Sequence, residues 1–458
     1  MSVLCVDIGG SSATISRSSG DRGSTVGEIR LPLDRPRPHR VEFSPAGWWR
    51  ALAGSGLDAG AGCDAVVVTT LRQGFVLIDG ERELGPGILN SDRRGAGYLD
   101  RLRAVDGLYE LTGHWPAPEL TLPKLLHTME HDRNRWAAAT RLLFVHDWLV
   151  WRMTGVECTE VSYACAGQLA DVAGRDWATG LLAELGIGTA RLAPLVEAGA
   201  RVGALREAFL GAPAGTPVVA GCGDTQLAAM AAGGLEPGVI TVVAGSSTPV
   251  QAASAQPVAD PLRHPWVSTH ARSGLWAVET NCGYPGTMQG WLADLTAGAT
   301  PSGTPGAGGV VAVTGSPEWS ERGWATKAPM AAVGLRPDID PGDLAQAFAE
   351  AHAFTIRANV EDLERAMGAP AGAVVLTGGA LRRDPGFAAR LADVLGRPVR
   401  VAAGSTVAGA AYQLVTGTPP VRDDQVCRPE RPGAYDEPYA RYLEVWAQLR
   451  EHLPEDDA

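Results

Sequence analysis

The segment Cys5–Ser16 reads CVDIGGSSATIS, and the segment Val239–Ser254 reads VITVVAGSSTPVQAAS. Each runs an apolar strand into glycine and serine and out into a second strand, the pattern of a hairpin. A tip of Gly and Ser gathers backbone N–H groups and hydroxyls at one point with no bulky side chain in the way, which suits an anion such as a phosphate. A single Gly-Gly between apolar runs is an ordinary turn signal. Its return in the second half of the chain predicts two related half-molecules, residues 1–238 and 239–458, with the boundary at Gly238.

Laying Gly10, Ser11 and Ser12 on Gly245, Ser246 and Ser247 aligns the strands but sets Asp7 opposite Val242. Only the first copy carries a carboxylate. Two such loops facing each other across a cleft would hold one polyphosphate from both sides, with Asp7 helping to hold its Mg²⁺ directly or through water.

The whole chain bounds the alternatives. A length of 458 residues exceeds what one hydrophobic core organises, so at least two domains are expected. No apolar run reaches the ~20 residues that span a bilayer, and the opening MSVLCVDIGG lacks the basic start and long apolar core of a signal peptide. The expected address is the cytoplasm, away from membranes. A formal charge of −12 argues against nucleic acid as a partner. Seven scattered cysteines without a CxxC pair suggest small buried side chains rather than disulfides or a zinc site.

Along the first half, GCDAVVVTTL and RQGFVLIDG read as strands and TRLLFVHDWLVWRMTG as a helix stopped by Gly155. TPVVAGCGDTQLAAMAAGG reads as strand, tight turn and helix. In the second half, a long helix over GDLAQAFAEAHAFTIRANVEDLERAMG precedes the strand AVVLTGG and the helix PGFAARLADVLG. The pattern is α/β in both halves.

Three motifs carry chemistry. In GCGDTQ, Asp224 sits where a turn becomes a helix. There a carboxylate either caps the helix or, kept ionised by the helix end, accepts a proton from a substrate hydroxyl. In TGGALRRDPG, Gly378 and Gly379 follow a strand, so a nucleoside could approach the backbone, although many such connections use glycines with no ligand. Neither GxxxxGK[ST] nor GxGxxG is present, so a nucleotide site must be assembled from several loops. In LRQGFVLIDGERELGPGILNSDRRG, Arg72 and Gln73 with Asn90, Asp92 and Arg93 offer the forked donors and paired acceptors that fix sugar hydroxyls, or else form a solvated hairpin. Trp115, Trp276 and Trp291 are stacking candidates or core.

Taken together, DIGGSS, LRQGFVLID with NSDRR, LPKLLHTMEHDRNRW, HDWLVWRMTG, GCGDTQ, AGSSTPV and TGGALRRDPGFAARLADVLGRPV resemble, in order and over nearly the whole chain, the FGGY family of carbohydrate kinases. That family lies within the sugar kinase, Hsp70 and actin superfamily. The resemblance implies two actin-like, ribonuclease H-like lobes with a cleft between them, and transfer of phosphate from ATP, with Mg²⁺, to a small ketose or polyol. It implies Asp224 as catalytic base and Asp7 as the metal-associated aspartate. Gly9, Gly10, Ser11 and Ser12 with Gly245, Ser246 and Ser247 become the phosphate loops, and Gly378, Gly379 and Arg383 the adenosine motif. Arg72, Gln73, Asp92, Asp224 and Thr225 fall where relatives hold the sugar.

The chain also departs from the pattern. Arg72-Gln73 stands where xylulose kinases carry Met-His, and Arg383 where relatives place Asn or Ser. The family's usual glutamate is missing from AAGSTVAGAAYQLVTG. The sugar and a homodimeric state stay open, and a binding-only pseudokinase or sugar-sensing regulator of the same fold is the alternative.

Overall fold

A computed structural model describes residues 1–19, 23–245, 247–285, 291–292, 294–296, 298–321, 331–379, 384–402, 406–419 and 424–452. Two sheets organise it. The first is built from β1 (Val3–Ile8), β2 (Ser12–Ser18), β3 (Gly23–Arg30), β4 (Ala65–Thr70), β5 (Arg201–Ala204) and β6 (Pro217–Gly223), in the order β5-β6-β4-β1-β2-β3. The second comprises β7 (Val239–Val243), β8 (Pro249–Ser254), β9 (Trp266–Thr269), β10 (Trp276–Asn281), β11 (Ala373–Thr377), β12 (Val399–Val401) and β13 (Gln425–Cys427). Its order is β9-β10-β8-β7-β11-β12-β13.

The two sheets repeat one pairing scheme. In the first, β1 runs antiparallel to β2 and parallel to β4, which is parallel to β6, which is antiparallel to β5. In the second, β7 stands to β8, β11, β12 and β13 in the same relations. The strand β9 is an added edge. This is the two-lobed arrangement that the recurring hairpin predicts, and the actin-like one that the family resemblance implies. The parallel strands β1, β4 and β11 are near-continuous Val, Ile and Leu because both of their faces are covered.

The helices that matter here are α1 (Val161–Ala166), α2 (Asp224–Ala231), α3 (Pro341–Met367), α4 (Phe387–Leu395) and α5 (Val407–Thr416). Asp340 caps α3 through Gly342 N, and Gly368 ends it at φ +69°. Although α5 follows the second sheet in sequence, Ala408 and Ala411 pack on Val3, Cys5, Ala65 and Val67 of the first. One sequence expectation needs correcting. TRLLFVHDWLVWRMTG is not all helix: Arg141–Phe144 is a strand paired antiparallel with Phe75–Ile78, and the helix spans Val145–Thr154. The switch is fixed where Phe144 N donates to Asp147 Oδ2 at 3.1 Å, closing the helix start. Among the described residues, no helix is long and apolar enough to cross a membrane.

Candidate active site

Register builds the site. Ile8 on β1 lies beside Thr70 on β4, and Thr70 lies beside Gly223 on β6. These three parallel strands therefore end at one edge, and the residues that follow emerge side by side: the Gly9–Ser12 turn, Leu71 with Arg72, and Asp224. Ligands of open α/β sheets collect at such carboxyl ends.

Each strand end is locally supported. Gly9 N donates to Ser12 O at 2.9 Å and Leu31 N to Ser11 O at 2.9 Å, so the tip is held from behind. A Cβ at Gly10 would meet nothing within 4 Å, which leaves the front of the tip open. On β6 the register shifts between Ala220 and Gly223. The irregular stretch is braced by α1: Tyr163 Oη donates to Cys222 O at 2.8 Å and accepts from Thr70 N at 2.9 Å, while Ser162 Oγ accepts from Gly223 N at 3.2 Å. Ser162 Oγ donates in turn to the buried Glu160, whose carboxyl burial pushes up to about 8.

Gly223 is the cap and Asp224 the first residue of α2, one position later than a capping side chain would stand. Asp224 Oδ1 accepts from Thr225 N at 2.8 Å. Burial raises the Asp224 carboxyl, and the Arg72 charge counteracts it. Asp7, half-buried on β1, is pushed up to about 7 by burial and by the facing Asp224 charge. The two carboxylates repel across the edge of the sheet. A cavity of about 150 Å³ opens beside Asp7, lined also by Thr14, Ser16, Thr25 and Thr406.

Arg72 leaves the first sheet and crosses the cleft. Its Nη2 donates to Glu279 Oε1 at 2.8 Å and its Nη1 to Glu279 Oε2 at 3.3 Å, with Thr225 Oγ1 3.4 Å from Nη2. Glu279 belongs to β10 of the other sheet, and sequence reasoning missed it. The available signal was a lone charge inside the apolar strand Trp276–Asn281. Gln73 sits at φ +69°, buried, and its carbonyl accepts from Thr121 Oγ1 and Lys124 Nζ at 3.0 Å each. The fully buried Lys124 amine, which also donates to Leu89 O at 2.8 Å, is lowered to about 7 by burial.

Asp92 joins a different cluster. Fully buried, it accepts from Val41 N at 2.7 Å and from Arg94 Nε, Nη2 and N at 2.8, 2.8 and 2.9 Å. Arg94 binds Glu42 as well. These contacts occupy the acceptor sites of Asp92 and anchor the NSDRR loop. Asn90 Oδ1 accepts from Ser91 N at 2.9 Å. Trp115 is core, packed with Trp266 and Trp319; Trp276 donates to Val172 O at 2.8 Å under Arg175; Trp291 is exposed.

In the second lobe, Gly245 N donates to Ser247 O at 3.0 Å, as Gly9 does to Ser12. Thr248 fastens this tip through Gly283 O, Cys282 N and His352 Nε2, at 3.1, 3.0 and 3.2 Å. Gly378 follows β11 at φ +109°, and a Cβ there would lie 2.5 Å from Ala244 O. The glycine is thus required by its contact with the second tip, a reason sequence reading did not supply; Gly379 stands beside it, half-buried. Ser246 and Arg383 lie outside the described residues. Beyond His352, a largely apolar cavity of about 510 Å³ is lined by Leu292, Thr314, Phe348, Asp384 and Phe387.

Among the described residues no three His, Cys, Asp or Glu side chains converge on a metal. The donor set still fits one divalent cation: Asp224 lies near enough for its charge to raise the Asp7 carboxyl, and Mg²⁺ in phosphate sites is commonly held by one or two carboxylates with phosphate and water. The open front of Gly10 fits a phosphate.

Comparison with known proteins agrees with this arrangement. Residues 2–231 match the N-terminal domain of the FGGY family of carbohydrate kinases, and residues 240–416 match its C-terminal domain. The Bacillus subtilis protein named sugar kinase YoaC is 29% identical over 293 residues, 62% of this chain and 58% of its own length. The autoinducer-2 kinase of Escherichia coli K12 is 28% identical over 239 residues, 50% of this chain and 45% of its own. The chain thus spans about half the length of the curated relatives it matches. A crystal structure of a xylulose kinase from Brucella ovis superposes with a TM-score of 0.85 at 25% identity, covering 98% of this chain and 100% of that one.

Proposed function

This chain belongs to the FGGY family of carbohydrate kinases, and we propose that it transfers the γ-phosphate of ATP to a hydroxyl of a small ketose or polyol bound between its lobes. The observation that carries this reading is the in-register ending of β1, β4 and β6, which delivers an open Gly-Ser turn, Arg72 and Asp224 to one edge.

Asp224 is the base that takes the proton from the acceptor hydroxyl. A modest base suffices, because the transition state is loose and positioning with charge neutralisation supplies most of the rate. Arg72 and Thr225, already in contact, orient the sugar beside it. Lys124 and Thr121 fix the Gln73 carbonyl and so the chain that carries Arg72. Asp92 contributes by anchoring its loop through Arg94.

The turns Gly9–Ser12 and Gly245–Ser247 would hold the phosphates, and Asp7 would hold Mg²⁺ directly or through water. Bound Mg²⁺ supplies charge neutralisation for the transferring group. The cavity beyond His352 receives the nucleoside, and Gly378, Gly379 and Arg383 serve as its adenosine motif. We place the change of lobe at Gly238, where the chain passes from one sheet to the next. The whole reading is tested by ADP release from Mg-ATP across ketopentoses, ketohexoses, polyols and glycerol. One sugar should stimulate release in the native protein and not in Asp224→Ala; sugar binding by both without release would favour the binding-only alternative.

A further inference from the structure

Resting on the kinase reading above, the cleft also discriminates by charge. Arg72 and Glu279 come from different lobes, and their side chains are only 12% and 4% exposed. The glutamate grips both ends of the guanidinium, and its Oε2 accepts from Gln251 Nε2 at 3.0 Å. The cation that would draw an anionic substrate is therefore already matched. The Asp224 carboxylate then adds negative charge beside Arg72, which opposes a substrate carboxylate placed there.

What the pair leaves available suits hydroxyls. Among the described residues, three of the five N–H donors of Arg72 are engaged, so two remain in a plane fixed by Glu279. Nearby amides are unusually unsatisfied. Among the described residues, both amide atoms of the buried Gln226, and Gln251 Oε1, have no hydrogen-bond partner. Gln226 Oε1 lies against Gly223, the residue before Asp224, since a Cβ on Gly223 would meet it at 2.5 Å and Arg72 Cδ at 2.9 Å. Uncharged donors and acceptors lacking partners at such depth mark where water or ligand hydroxyls complete the bonding.

We infer that Glu279 is a specificity-determining, positioning residue: by pairing with Arg72 across the cleft it restricts the acceptor to uncharged polyhydroxy compounds and rejects sugar acids. The pair also needs both lobes, so it forms only where the two sheets approach.

The test compares native protein with Glu279→Gln and Glu279→Asp, using neutral ketopentoses, ketohexoses and glycerol against D-xylonate and D-gluconate. In Glu279→Gln the ratio of kcat/KM for the best neutral sugar to that for the best sugar acid should fall by about 10-fold or more, mainly through opposite changes in KM. Glu279→Asp keeps the charge and should hold the ratio near the native value. Equal losses for both substrate classes in Glu279→Gln overturn the inference, because a merely structural role would produce them. Independently of any variant, native protein that binds D-gluconate as tightly as its neutral sugar in calorimetry overturns it too. Native protein that turns over no sugar overturns the kinase reading, whereas turnover with an unmoved ratio overturns the role of Glu279 alone.

Discussion

The two Gly-Ser hairpins share a backbone design and differ in what surrounds them. The first closes with Ile8 opposite Ala13, carries Asp7 two residues before the turn, and leaves Gly10 facing open space. The second has Val242 opposite Val250, which makes its loop one residue longer than the equivalent register of the first would give. That extra length is taken up by Thr248, which bonds to Gly283, Cys282 and His352 instead of the ladder. The backbone at Ala244 is pressed against Gly378. One tip is open with a carboxylate on its strand; among the described residues of its counterpart, Gly245, Ser247 and Thr248 are uncharged and hydrogen-bonded in place. A repeated fold can thus divide labour, with one copy presenting chemistry and the other presenting a fixed wall.

Substitutions can break that contrast. The largest effect is expected from Asp7→Asn, which should lower kcat by about 100-fold or more, as loss of one preorganised charge-stabilising group typically does. The same change should stabilise the fold at pH 8. Asp7 is raised to about 7 in the folded protein, so its contribution is fully present below the unfolded carboxylate range and lost as pH rises through 7. Thermal melting at pH 5 and pH 8 checks this: the advantage of Asp7→Asn should grow with pH. Next comes a pair of glycine changes. Gly378→Ala combines φ +109° with a 2.5 Å clash against backbone and should cost about 2–4 kcal/mol by denaturant unfolding. Gly10→Ala meets no atom and should leave stability within about 0.5 kcal/mol. Its effect should appear instead as a raised KM for ATP, and equal stability losses in both variants would erase the contrast.

Smaller still, Thr248→Val removes the hydroxyl contact to His352 and should cost about 1 kcal/mol with little change in kcat. Glu160→Gln probes the support behind Asp224. With the native carboxyl raised to about 8, the folded state binds its proton more tightly than the unfolded state, and that stability is lost as pH climbs through 8. The variant should therefore melt a few degrees above native protein at pH 9 and show a smaller difference at pH 5, as shifts of this size do for a large chain. A difference independent of pH would mean that Glu160 is already ionised.

The sequence showed what local pattern can show. Repetition of an apolar strand with Gly-Ser at its tip announces two lobes, and the strand-to-helix passage in GCGDTQ places Asp224. Long-range partners were not visible. Glu279 meets Arg72 from 207 residues away, and nothing in LRQG indicates that its cation is matched. Asp92 read as a free sugar ligand because a polar cluster looks the same whether it faces solvent or is closed by Arg94 and Val41. Gly378 read as room for a nucleoside, yet the nearest obstacle to a side chain is Ala244. In TRLLF, pairing with Phe75–Ile78 overrode a helical pattern that a single segment cannot distinguish from a buried strand.

The most direct test of the account is sugar-stimulated ADP release by native protein and Asp224→Asn at saturating Mg-ATP, with sugar affinity measured on the same samples by calorimetry. The account predicts that the variant binds the sugar within a few-fold of native protein and loses about 100-fold or more in kcat, in the range expected for removing a general base. A variant that retains native kcat would contradict Asp224 as the group that accepts the proton.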